Sequence, residues 1–224
     1  MKTPLALMAA LVAAAPLAAQ TAKPSPAGHD HHAAPATAPA APAAERRQER
    51  AVRETAKAMV NGKTVSVEYG RPALAGRQMA DLLSQLPADR IWRAGVDQAT
   101  TLATETDLVI GGKRVPAGKY TLYVHAPATG DYSLVLNSDP GIALKKIFPA
   151  APPAVADALW PRLDGYDNVK ATEVLRVPLR KGVATEPMDK FLIALAPAKD
   201  GASAITLTWG SESWTTDVKA APSR

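Results

Sequence analysis

The chain has 224 residues, no cysteine and a formal charge of +5. The missing cysteines exclude disulfides, thiolate metal sites and cysteine nucleophiles. A charge this modest, with no aromatic residues interleaved among the basic ones of residues 45–59, argues against a nucleic-acid partner and permits only weak attraction to anionic polymers or headgroups. Hydrophobic residues make up 47% of the chain, but alanine supplies much of that. Only from Val60 onward are branched and aromatic residues dense enough to build a core.

Residues 1–19 read as a secretory signal peptide: an early Lys2, an apolar run from Leu5 to Leu17, and small Ala18 and Ala19 before Gln20. The run is short for a bilayer-spanning helix, which needs about 20 residues, and no cysteine follows it to carry a lipid. The expected product is exported, to a periplasm or beyond, with no transmembrane segment in the mature protein. Residues 20–44 are almost wholly alanine, proline and small polar residues, a composition that cannot bury enough apolar surface to offset ordering entropy. They are expected to form a disordered tether. Within it, His29, Asp30, His31 and His32 have the right ligand types for a transition metal, but a disordered segment supplies neither geometry nor supporting hydrogen bonds. No metal site is assigned there. Residues 45–59 mix charges with good helix formers and are expected to form a short surface helix.

After Val60 the hydrophobic period changes to two. Asn61-Gly62 is a hairpin-turn signal, and Val65, Val67 and Tyr69 share one face of a strand. Strands follow at Thr100–Ile110, Lys113–Val115, Tyr120–His125, Tyr132–Leu136, Val174–Leu179, Phe191–Leu195, Ala204–Trp209 and Ser213–Val218, divided by glycine and proline turns. Two excursions interrupt them: a short helix over Gln78–Leu86 and a proline-broken insertion over Ile142–Leu163. The pattern specifies an all-β, antiparallel β-sandwich, jelly-roll-like or immunoglobulin-like, with one or two short helices, over residues 60–219.

Several motifs carry a resemblance. Tyr69-Gly70-Arg71-Pro72, Gly76-Arg77, Trp92-Arg93-Ala94-Gly95, Ala99-Thr100-Thr101, Gly112-Lys113 and Pro116-Ala117-Gly118-Lys119-Tyr120, in this order and spacing, resemble the bacterial family known as domain of unknown function 2911. The resemblance runs from about Val60 to Val218. It implies a fold and an exported setting, and no reaction. Where members read Gly-Ala-Asn-Glu-Ala-Thr, this chain has Gly95-Val96-Asp97-Gln98-Ala99-Thr100, so a role served by that Asn and Glu would not carry over.

The candidate ligand-binding residues are Arg71, Arg77, Trp92, Arg93 and Asp97, because guanidinium groups grip carboxylates and phosphates in a fork and stack on aromatic rings. The same residues suit a structural use, with Trp92 plugging one end of the sandwich and the arginines satisfying loop carbonyls. No catalytic residue is assigned. His125 is the sole histidine after the tether; a Ser-His-Asp arrangement would pair it with Ser133 or Ser138 and Asp131 or Asp139, but no nucleophile elbow accompanies them. Carboxylate pairs such as Asp97 with Glu105, or Asp164 with Asp167, are not singled out by spacing. Trp209 and Trp214 bracket Gly210-Ser211 and suit either a sugar-stacking platform or a core. No phosphate loop or dinucleotide fingerprint is present, so no cofactor is expected. The chain is thus expected to be a non-enzymatic binding or envelope-associated module, for a small anionic or carbohydrate ligand or an envelope protein. A hydrolase working through paired carboxylates is the alternative.

Overall fold

The computed structural model describes residues 53–163, 166–197 and 203–222. The segments expected to be a signal peptide and a tether, with His29, His31 and His32, and also Asp164, lie outside the described residues. Two antiparallel sheets face each other. The larger is seven-stranded, in the order β1 (Arg53–Val60), β2 (Lys63–Gly70), β4 (Thr101–Thr104), β7 (Gly118–His125), β8 (Ser133–Asn137) and β11 (Glu173–Pro178), with the short β3 (Ile91–Trp92) also on β7. The smaller holds β12 (Arg180–Pro197), β13 (Ser203–Ala220), β5 (Leu108–Ile110) and β6 (Lys113–Val115). A two-stranded pair, β9 (Ile142–Ala143) and β10 (Leu159–Trp160), closes the proline-rich excursion. The helices are short: α1 (Met79–Ser84) and α2 (Leu144–Ile147). Among the described residues no helix is long and apolar enough to cross a membrane.

The core lies between the sheets. Val65, Val67, Tyr69, Leu102, Leu122, Leu134, Leu136 and Val177 from the larger sheet meet Leu108, Ile110, Phe191, Ile193, Ile205, Leu207, Trp209, Trp214 and Val218 from the smaller, all buried. Alternation along β2 and β7 puts these residues inward because successive side chains of a strand point to opposite faces.

Three features depart from or refine the sequence expectation. Residues 53–59 form a strand, where a helix was expected. The turn at Asn61 (φ 50°) and Gly62 (φ 72°) has both central residues left-handed, the geometry that joins two paired strands directly. It pins Arg53–Val60 residue by residue against Lys63–Gly70. Ladder bonds and the inward alternation of Ala56, Ala58 and Val60 then override helix propensity. The sandwich therefore begins at β1, ahead of Val60. Second, the stretch Thr100–Ile110 is broken: the Thr104 hydroxyl donates to the Thr106 carbonyl at 2.7 Å, and the chain leaves the larger sheet as β4 and joins the smaller as β5. Third, β13 doubles back at Gly210-Ser211, as the hairpin expectation required. The Thr206 and Thr215 hydroxyls lie 3.2 Å apart, whereas an extended strand of nine residues would separate them by about 30 Å. Gly210, at φ 62°, supplies the left-handed turn residue. β12 pairs with both arms, Arg180–Val183 with Glu212–Thr215 and Leu192–Pro197 with Ser203–Thr208, so it wraps the hairpin tip.

Candidate functional site

The motif-bearing corner is built on a divided strand. β3 and β4 both pair with β7, Trp92 opposite Val124 and Thr101 opposite Thr121. The Ala126 amide donates to the Arg90 carbonyl and the Leu122 amide to the Thr100 carbonyl. Between them Arg93–Ala99 leaves the sheet as a tight loop, with Ala94 and Asp97 at φ 50° and 61°. The loop lies against the end of β2 so closely that a Cβ on Gly70 would meet the Val96 carbonyl oxygen at 2.4 Å, and one on Gly95 the Thr100 hydroxyl at 2.7 Å. Two motif glycines thus exist for backbone approach. The Thr100 hydroxyl seals the loop by donating to the Ala94 carbonyl at 2.9 Å.

Each of the five sequence candidates has a place here. Trp92 points into the sandwich, edge-on to Phe191 at 4.8 Å and stacked on Trp209 at 5.3 Å with planes 8° apart. Arg71 donates Nε to the Phe191 carbonyl at 2.8 Å and Nη1 to Glu54 at 2.7 Å. Arg77 folds onto its own loop, onto the Leu74 and Ala73 carbonyls at 2.8 and 3.0 Å. Arg93, half-buried, donates Nη1 to the Asp97 carbonyl at 3.1 Å; burial lowers its pKa, and the Asp97 charge opposes that shift. The structure brings Trp92, Arg93 and Asp97 together in one loop, sets Arg71 against the β12 edge, and leaves Arg77 in a separate turn. Each of the three arginines reaches at least one backbone carbonyl, and Arg71 a carboxylate as well.

The other side chains with candidate chemistry sort as follows. Trp209 and Trp214 are each 3% exposed, so neither ring is open to a sugar. Glu105 accepts the Thr64 amide at 2.9 Å at the exposed β4–β5 bend. Ser138 donates to the Thr172 carbonyl at 3.1 Å. Ser133 sits opposite His125 in the β7–β8 register, but no hydrogen bond joins the two among the described residues. Also among the described residues, no three acidic or histidine side chains gather to hold a metal ion.

A second site lies on the outer face of the larger sheet. Ile91, Tyr123 and Val135 point away from the sandwich core and are covered by Tyr166 and Val169 of a segment with two short 3-10 turns, Tyr166–Asn168 and Lys170–Thr172. Asn137, fully buried, anchors this cover by donating Nδ2 to the Val169 carbonyl at 2.8 Å and accepting the Thr172 hydroxyl at 2.7 Å. Tyr166 packs edge-on to Tyr123 at 5.5 Å. Beside the cover opens a cleft of about 520 Å³ lined by Ala88, Asp89, Ile91, His125, Tyr166, Asp167, Lys170 and Arg176.

The charged groups of the cleft fall into two sets. Asp89 accepts the Ile91 and Tyr166 amides at 3.1 Å each. Arg176 forks onto Glu173 at 2.9 and 2.8 Å, and the Tyr166 hydroxyl donates to the same carboxylate at 2.9 Å. Burial alone would raise the Glu173 pKa, but the Arg176 fork and the Tyr166 hydroxyl outweigh it and hold the carboxyl below its ordinary value. His125, Lys170 and Asp167, by contrast, make no hydrogen bond among the described residues. Burial, aided by Arg176, lowers the His125 pKa and favours its neutral form. Of this lining, the sequence singled out His125 and Asp167 for other pairings and passed over the rest. The available signal was alternation: His125 falls opposite Leu122 and Val124, as Arg176 falls opposite Leu175 and Val177.

Residues 51–218 match the family described as "Protein of unknown function (DUF2911)". The chain belongs to this family. The DUF2911 match takes in both sheets, the divided β3–β4 strand and the outer-face cover, and starts ahead of β1 rather than at Val60. No curated protein and no solved structure matches the chain, so DUF2911 membership brings a fold unit and its motifs without a reaction.

Proposed function

We propose that this protein is an exported, non-enzymatic binding module whose outer-face cleft takes a small ligand bearing an anionic group, such as a carboxylate-bearing sugar. One observation carries the reading: Lys170 and His125, uncommitted to protein partners among the described residues, face a cleft of about 520 Å³ beside the braced Arg176–Glu173 pair. Lys170 offers a mobile cation for the anion, neutral His125 a directional hydrogen bond, and Arg176 a fixed positive edge. Clefts of this size and mixed lining are common small-molecule sites. Export is supported by the charged start, apolar run and small-residue end of residues 1–20.

A second reading, hydrolysis by paired carboxylates, draws on Asp89 and Asp167 lining the same cleft. Asp89 supports it poorly. Both of its oxygens accept backbone amides, so the carboxylate is engaged in holding the chain rather than aimed at a ligand in the cleft.

The test is calorimetric titration of the purified protein with uronic acids, sugar phosphates and short peptides, alongside a turnover screen on esters, glycosides and peptidoglycan fragments. The expected result is saturable binding of one anionic class, weakened about tenfold or more by Lys170→Ala, without turnover. Turnover abolished by Asp167→Asn would establish the hydrolase instead.

A further inference from the structure

The excursion between β9 and β10 presents an apolar surface that the fold does not use. From Lys145 to Val155 every residue is exposed except Ala151, which is half-buried. Ile147 and Phe148 are 53% and 52% exposed. From Gly141 to Ala156 the only charged residues are Lys145 and Lys146. Consecutive exposed apolar residues cost solubility and mark a functional contact when a protein retains them.

The excursion is also held in shape. The Leu144 amide donates to the Ala158 carbonyl at 2.9 Å and the Lys145 amide to Ala156 at 2.9 Å. Turns follow at Phe148–Ala151 and Pro152–Val155, closed by bonds of 2.9 and 3.0 Å. Its base is tied to the sandwich, where the Ala99 amide meets the Leu159 carbonyl at 2.8 Å. Pro149, Pro152 and Pro153 sit in these turns, so the segment is not an extended polyproline ligand.

We infer that this excursion docks the protein on an anionic lipid surface, with Ile147, Phe148 and Val155 entering the headgroup–acyl boundary and Lys146 meeting lipid phosphates. A pre-shaped tip with lysines at one shoulder and no carboxylate along its apolar run complements such a surface. Lys145 is paired with Asp157 at the base, which leaves Lys146 as the outward cation. The tip is built of turns and one short helix rather than strands, so it suits a deformable interface better than pairing with a partner's strand.

The absence of cysteine permits a site-specific test in the full chain that separates the tip from the apolar leader. An environment-sensitive dye on Ala150→Cys should shift to the blue on mixing with phosphatidylcholine–phosphatidylglycerol vesicles of roughly 3:1 composition, while the same dye on Thr129→Cys, in the exposed β7–β8 turn, should not. Phe148→Asp should lower the vesicle affinity of the Ala150→Cys probe about tenfold with unchanged circular dichroism, and higher salt should weaken it further. An unshifted Ala150→Cys probe overturns the proposal. So does a vesicle-silent protein whose capture of one purified envelope protein is lost on Phe148→Asp, an outcome that makes the tip a protein interface.

Discussion

The corner around Trp92 and the cleft around His125 lie on opposite faces of the same sheet, and both collect arginines, aromatics and carboxylates. They differ in how those groups are engaged. At the corner, Arg77 and Arg93 reach loop carbonyls and Arg71 reaches the Phe191 carbonyl on the edge of β12, and Trp92 is locked between Phe191 and Trp209. In the cleft only part of the charge is committed, through Asp89 and the Arg176–Glu173 fork, and the side chains of Lys170, His125 and Asp167 have no hydrogen-bond partner among the described residues. Residue type alone does not distinguish a binding surface from a brace; the number of internal partners does.

That contrast can be broken by mutation, and the largest effect belongs to the corner. Trp92→Ala should lower unfolding free energy in urea by about 3–5 kcal/mol, since it removes a ring packed on two others; a loss below about 1 kcal/mol would mean that the corner is not a brace. Arg71→Ala should cost about 1–3 kcal/mol by leaving the Phe191 carbonyl without its donor, and ligand titration at the cleft should be unchanged.

Acid titration sharpens the comparison from the cleft side. Glu173 has a folded pKa below its ordinary value, so its contribution is present above the ordinary glutamate range and lost as pH falls through the folded value. His125 also titrates lower in the fold. The unfolded chain therefore binds the proton first on acidification, and stability falls as pH drops through the ordinary histidine range near about 6.5. Both act in the same direction. Thermal melts should decline on acidification, with the upper part of the decline removed by His125→Gln and the lower part by Glu173→Gln. The smallest effect on stability belongs to Lys170→Ala, which should stay within about 0.5 kcal/mol of the parent while ligand affinity falls; a large loss of stability would show that Lys170 is structural.

Much of the sandwich was legible because two-residue periodicity reports facing directly: Val65, Val67 and Tyr69, or Leu122 and Val124, could point nowhere but inward. The strand at residues 53–59 was not legible from its own composition. Its alanines, lysine and arginine favour helix, and the information lay in the turn that follows, at Asn61-Gly62. The site was harder. The motifs drew attention to the Trp92 corner, whose glycines and arginines are constrained by close packing between Gly70 and Gly95. The cleft is assembled from Asp89, His125, Lys170 and Arg176, four separate parts of the chain joined by the Asn137-anchored cover. No local spacing signals such an assembly.

The borders of the two sheets are stitched as well as their faces. On one side the chain after β2 bonds across to β12, through the Phe191 amide to Pro72 and the Leu74 amide to Asp189. On the other, the Lys113 ammonium reaches the Arg176 carbonyl at 3.0 Å and Gly111 packs under Val177. Backbone groups engaged in this way are not open to a neighbouring copy, which limits edge-to-edge pairing at these points.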